Sequence, residues 1–267
     1  MNWLRPLRYL NSIPFPVVQK YYVALGVGAE QLRGTLRGGE DWFVLRNKSS
    51  RYRIAQTREE WLKDLSTLDD SIDGLDAALP ERVESLARLI ERAGIKTLFS
   101  VGSGGCYFEY HLKRRLPALK VVVTEPVPEL VGHLKELFIE ADSIEQFDAL
   151  DARSWERVAD MPACLVFIYR NEREFSDEEW RTMFGHMDAA GVERVFLGLM
   201  WTLTVLAFVF RKWNNLKARF RGRRVSFVGY IRNFRGLERL WQRHYVVAEE
   251  ITFPACRGLY LKRIHTV

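Results

Sequence analysis

Between residues 97 and 200, four short apolar runs alternate with segments of helical period, and this alternation constrains the fold more than any other feature of the chain. The runs are 97–101, 120–124, 164–169 and 194–200. The third, CLVFIY, is continuously apolar, as a strand covered on both faces must be. A helix over 80–93 leads into the first run, with Val83, Leu86, Leu89 and Ile90 on one face. Gly94 follows it at the position where glycine ends helices. Helices over 106–116, 127–138 and 177–189 separate the later runs, and a short piece over 144–148 precedes Asp151. Ser176, Asp177, Glu178 and Glu179 read as a capping box opening the last of these helices. Strands joined through helices imply a mostly parallel sheet with helices on both faces, an α/β fold.

The two ends of the chain depart from this pattern. A helix over 234–243 leads to apolar segments 245–253 and 259–264, joined by a short loop that holds Pro254 and Gly258. This is a C-terminal antiparallel β-hairpin. Residues 1–75 are aromatic-rich and irregular. Short strands over 42–45 and 52–56 around a polar turn, and a helix over 58–66, make the first 78 residues an N-terminal cap or packing extension. The main domain is expected over 79–267, with a basic, aromatic insertion over about 201–233.

Charge is unevenly spread. The chain is +6 overall, but residues 211–243 hold eleven Lys and Arg against one acid, Glu238. That segment is +10 and the remainder is −4. Immediately before it, residues 195–210 run for sixteen positions without a charge. As one helix they would span about 24 Å, short of the roughly 30 Å of a bilayer core. A buried strand running into an apolar helix fits better. Residues 201–220 carry more apolar surface than one helix face requires, and the basic cluster follows directly. This combination suits a membrane surface, a homodimer contact or an acidic-substrate cleft, against the plainer reading of a core helix with a solvated end. Nucleic acid is the less favoured partner, because Leu237, Leu240 and Trp241 read as a packed helix face. Cys106, Cys164 and Cys256 are too widely spaced for a disulfide framework or a metal-ligand pattern, so no metal is expected. Arg5 and Arg8 are followed by no long apolar run, and Pro6, Pro14 and Pro16 interrupt the N-terminus. A signal peptide is not expected, and the setting is cytoplasmic, with peripheral membrane contact as the alternative.

The candidate site lies at the first strand–helix junction. Val101-Gly102-Ser103-Gly104-Gly105 forms a glycine turn, which lets backbone approach a ligand and offers N–H groups at a helix start. The next strand ends on Glu125, where a carboxylate can accept from both hydroxyls of a ribose. A nucleoside-containing ligand follows. A dinucleotide fingerprint would need a third glycine at position 107, which is Tyr107.

From about residue 80 to the C-terminus the chain resembles the class I S-adenosylmethionine-dependent methyltransferases. Four features carry the resemblance: the glycine turn, Glu125, the pair Asp151-Ala152, and the closing hairpin. Gly229-Tyr230-Ile231-Arg232-Asn233 is similar to a stretch that precedes the final helix in the small-molecule branch of that family. The resemblance implies a Rossmann-like seven-stranded sheet, and S-adenosylmethionine or S-adenosylhomocysteine as cofactor. It also implies a small-molecule or lipid-like acceptor, whose pocket the cap aromatics and residues 201–220 would wall. It assigns Gly102, Ser103 and Gly104 to the methionine part, Glu125 to the ribose, Pro126 and Val127 to the adenine face, and Asp151 with Ala152 to the adenine edge. Tyr169 would face the sulfonium. Tyr169, Asn171 and His111 are the catalytic candidates, together with Arg170 as a substrate contact. Two positions depart from the family pattern. Ser100 stands where an acid is usual, and Cys106 where the third glycine is usual. They keep a second class open, a non-catalytic methyltransferase-fold module that uses 201–243 to bind a membrane, a partner or nucleic acid.

Overall fold

The computed structural model describes residues 15–24, 29–36, 40–47, 78–126, 128–199, 203–220, 225–253 and 256–265. Three strands come first: β1 (Val18–Ala24), β2 (Ala29–Leu36) and β3 (Glu40–Asn47). The alternating region follows as α1 (Leu79–Arg92), β4 (Thr97–Val101), α2 (Tyr107–Arg115), β5 (Lys120–Glu125), α3 (Pro128–Leu137) and β6 (Ser143–Gln146). It continues through α4 (Ala152–Ala159), β7 (Cys164–Tyr169), α5 (Asp177–Ala189) and β8 (Arg194–Leu199). The chain then forms α6 (Val205–Phe220), β9 (Val225–Arg232), α7 (Phe234–Trp241), β10 (Tyr245–Phe253) and β11 (Cys256–Arg263). The strand expected over 52–56 and the helix over 58–66 lie outside the described residues. The chain divides into two compact units. One comprises Met1–Trp61, Glu172–Ser176 and Trp201–Leu240, and the other Leu62–Asn171, Asp177–Met200 and Trp241–Val267.

The second unit holds a seven-stranded sheet in the order β10-β11-β8-β7-β4-β5-β6. Strands β6, β5, β4, β7 and β8 run parallel. Strand β11 is antiparallel to both β8 and β10. The mostly parallel sheet with an antiparallel closing hairpin is therefore present as expected. The central strands β4 and β7 are buried almost throughout, because each is covered by strands on both sides. Helix α1 buries Leu79, Val83, Leu86, Leu89 and Ile90, the face its sequence period marks out. Phe99 packs edge-on against Phe147, and Phe147 against Trp155, tying β4 to the segment around α4.

The sheet order fixes where a ligand can sit. From β4 the chain steps outward one way to β5 and β6. It then returns and steps the other way to β7 and β8. The loops after β4 and β7 leave in opposite directions, which opens a crevice at the carboxyl end of β4.

In the first unit β2 pairs with β3 and β1 with β9, both antiparallel. The stretch Gly229–Asn233 holds this unit together, residue by residue. Gly229 has φ +125°, and a Cβ there would lie 2.4 Å from the Arg173 carbonyl oxygen. Tyr230 N–H donates to that same carbonyl at 2.9 Å. Arg232 is buried and donates to the carbonyls of Glu172 at 2.8 Å and Phe175 at 2.7 Å. A guanidinium satisfies two otherwise stranded carbonyls at once, which an apolar residue cannot do. The Asn233 side chain accepts from Gly236 N–H at the start of α7 and from Val17 N–H, and donates to the Phe15 carbonyl. It caps the helix and anchors the lead into β1 with one amide.

Candidate functional site

The carboxyl end of β4 is built around the glycine turn. Gly102 has φ +62° and Gly104 φ +58°, in the left-handed region that glycine enters without steric cost. Between them, Ser103 N–H donates to the Thr124 carbonyl at 3.1 Å, and Thr124 Oγ1 donates back to the Ser100 carbonyl at 2.7 Å. These bonds lock the turn to the end of β5. Glu125 is the next residue, and it is buried. Its Oε2 accepts from Gly104 N–H at 3.2 Å. A glycine turn and an acid twenty-one positions apart thus form one hydrogen-bonded cluster.

The other wall of the turn comes from beyond β7. Asn171 Nδ2 donates to the carbonyls of Val101 at 2.8 Å and Gly102 at 3.2 Å. A Cβ at Gly102 would lie 2.8 Å from that same nitrogen. Glycine is needed there for space as well as for its φ. Asn171, a catalytic candidate from the sequence, thus holds the backbone of the turn. Arg170 before it has φ +65°, a strained conformation for a side chain of that size, and its N–H donates to the Gly198 carbonyl.

Tyr169 ends β7 with its ring across Gly198, where a Cβ would lie 2.3 Å from Cδ2. Its hydroxyl accepts from the Arg82 guanidinium at 2.8 Å. Phe108 and Phe167 flank the ring, with centroids 4.8 and 5.7 Å away. Burial pushes the phenol up to about 12, against a smaller opposing pull from Arg82. Tyr169 therefore stays protonated near neutral pH and is suited to positioning rather than to taking up a proton.

Beneath the turn lies a group that sequence reasoning missed. Ser100 Oγ donates to Glu109 Oε1 at 2.5 Å, and both residues are buried. Burial pushes the Glu109 carboxyl up to about 7, although the Ser100 hydrogen bond pulls the other way. The signal was present in the sequence as Ser100, a hydroxyl where an acid is usual. The acid stands nine residues on, on the inner face of α2. Cys106 sits at the third turn position with φ +57°, and its sulfur lies 3.2 Å from Ser103 Oγ. Burial raises its thiol well above the ordinary range, so it is a packing group and no nucleophile.

The remaining candidates stand apart from the cluster. Asp151 is exposed at the start of α4, where its carboxylate accepts from Arg153 N–H at 3.1 Å and caps the helix. Ala152 is the first, exposed residue of that helix. Pro126 is half-buried, and its carbonyl accepts from the Gln146 amide. His111 is half-buried on α2, with its ring edge-on to Tyr110 at 5.1 Å. Val127 lies outside the described residues.

Among solved structures, the chain is similar to human N-acetylserotonin methyltransferase. The TM-score is 0.53 and the identity 12%, over 76% of this chain and 56% of that one. It is similar to TnmH at TM-score 0.51 and 14% identity, over 75% of this chain and 60% of that one. A methyltransferase from Anabaena variabilis gives TM-score 0.51 and 9% identity, over 77% of this chain and 94% of that one. The chain has a class I methyltransferase-like fold. It spans little more than half the length of the human enzyme. No protein-family model matches the chain, and no curated protein does. Sequence divergence on this scale makes the order of the sheet and the turn at Gly102–Gly104 the features that carry the likeness.

Proposed function

We propose that the chain binds S-adenosylmethionine at the Gly102–Gly104 turn and transfers its methyl group to a small-molecule acceptor. The observation that carries this reading is Glu125, a buried carboxylate 3.2 Å from Gly104 N–H at the tip of the strand beside the turn. A carboxylate there matches a ribose with two adjacent hydroxyls, and two left-handed glycines match a ligand pressed against backbone. The human enzyme that shares the fold is described in complex with S-adenosylmethionine. We assign the reading to the methyltransferase-like part of the chain, from about residue 79 onward.

When bound, the cofactor supplies a methyl group on a positively charged sulfur, an activated donor that needs little acid–base help. The chain's own residues then have positional and electrostatic tasks. Gly102 and Gly104 admit the ligand, and Asn171 keeps the turn in shape. Glu109 places a carboxyl beneath the turn that can become negative near neutral pH, in compensation for Ser100. Asp151 keeps an exposed carboxylate at the edge of the crevice for an amino group, beside Ala152 and Pro126. Tyr169 lies at the tip of β7, its ring fixed by Gly198 and Arg82. Holding donor and acceptor in line supplies much of the rate in such a transfer, so no strong base is required. Incubation of the full chain with methyl-labelled S-adenosylmethionine and a panel of phenols and amines tests this. Label recovered in an acceptor is the expected outcome. Cofactor bound without transfer to any acceptor would reduce the reading to a binding protein.

A further inference from the structure

Helix α6 is built the wrong way round for a helix of a water-soluble surface. Its inner side packs Ala207 and Phe208 against Leu203, Ile231 and Val17. Its outer side carries Leu206, Val209, Phe210, Trp213, Leu216 and Phe220, all exposed. Phe220 is 84% exposed and Leu206 70%, and Val209, Phe210 and Trp213 are each more than half exposed. At 3.6 residues per turn these positions fall in one stripe about 120° wide. An amphipathic helix turns such a stripe toward a core, whereas here it faces outward. Single exposed apolar residues are ordinary, but a continuous aromatic stripe over four turns marks an interaction surface.

The charge around the stripe decides among occupants. Lys212 and Lys217 are exposed on the same helix, and the Lys212 ammonium sits 5.7 Å over the Phe208 ring. No acid occurs between residues 201 and 237. The helix therefore offers an apolar band with cationic side chains and no negative charge to repel an anionic surface. A second copy of the chain would bring the same positive charge to the contact. A bilayer with anionic headgroups supplies apolar depth and negative charge together. No helix among the described residues is long and apolar enough to cross a membrane, so the geometry is one of lying on it.

We propose that α6 docks this protein on an anionic lipid bilayer, with Leu206, Phe210, Trp213 and Phe220 in the headgroup–acyl boundary and Lys212 and Lys217 against the headgroups. The proposal is independent of what the glycine turn binds. Co-sedimentation of the full chain with phosphatidylcholine vesicles, with and without phosphatidylserine, tests it. The protein should pellet with the anionic vesicles, and less so as salt is raised. Lys212→Ala with Lys217→Ala should weaken that partition roughly thirtyfold, at about a fivefold loss per lysine. Phe210→Ser with Trp213→Ser should abolish it while leaving the unfolding temperature in place. Failure of the wild-type chain to pellet with anionic vesicles at low salt overturns the proposal. So does unchanged binding by the Phe210→Ser, Trp213→Ser variant. A wild-type dimer that this variant splits, and that binds no vesicles, would assign the stripe to self-association instead.

Discussion

Glu109 is the residue on which the electrostatics of the site turn. A carboxyl that titrates near 7 when folded, against 4.5 when unfolded, keeps its proton in the native state where the unfolded chain has lost it. The unfolded state then binds fewer protons, so this group's contribution to stability falls as pH rises through that window and is level above it. Glu109→Gln removes the titration and keeps a hydrogen-bonding partner for Ser100. The unfolding temperature of the variant, relative to wild type, should therefore rise between about pH 5 and about pH 8, by the equivalent of about 3 kcal/mol. Thermal melts at the two pH values check this, and a constant difference would contradict the assignment. How much of the site was legible in the sequence follows from such residues. Gly102, Gly104 and Glu125 announce themselves, because a turn and a strand end are local features. Glu109 and the Asn171 clamp do not, because burial and a contact across seventy positions are set by packing. Asp151 shows the converse. Its sequence position suggested a ligand, and its carboxylate is seen capping α4, a task any strand-to-helix junction can demand.

Elements that announce a period were read to within a residue or two, as α1, β7, α5 and β10 show. Those that depend on distant partners were not. Strand β9 is absent from the sequence expectations, although Val225, Phe227 and Ile231 alternate along it. Its partner β1 lies about two hundred residues earlier, and the basic charge around it suggested an insertion. Helix α4 was missed for its shortness. The Gly229–Asn233 stretch was picked out by likeness, and the structure gives it a physical task. It stitches β9 to residues 172–175 and caps α7. Asn233 makes three hydrogen bonds through one buried side chain, two of them to the segment before β1. Asn233→Ala should cost about 2–4 kcal/mol, since three buried backbone groups lose their partner. Urea unfolding followed by circular dichroism measures this, and a loss below about 0.5 kcal/mol would show the cap to be dispensable.

At the scale of the whole molecule, the sheet decides the location of the site and the turn decides its ligand. The reversal of strand order at β4 opens a crevice whatever the side chains. The side chains there, with glycines at left-handed φ and a buried acid on the neighbouring strand, then select a nucleoside. The central claim is that Glu125 holds the ribose of S-adenosylmethionine beside the Gly102–Gly104 turn. Calorimetric titration of wild type and Glu125→Ala with S-adenosylhomocysteine tests it most directly. The account predicts saturable heat for wild type and an affinity weakened by about 1.5–3 kcal/mol for the variant, the range for hydrogen bonds to a charged group. No heat at millimolar ligand from folded wild-type protein, or equal affinity in the two proteins, would contradict it.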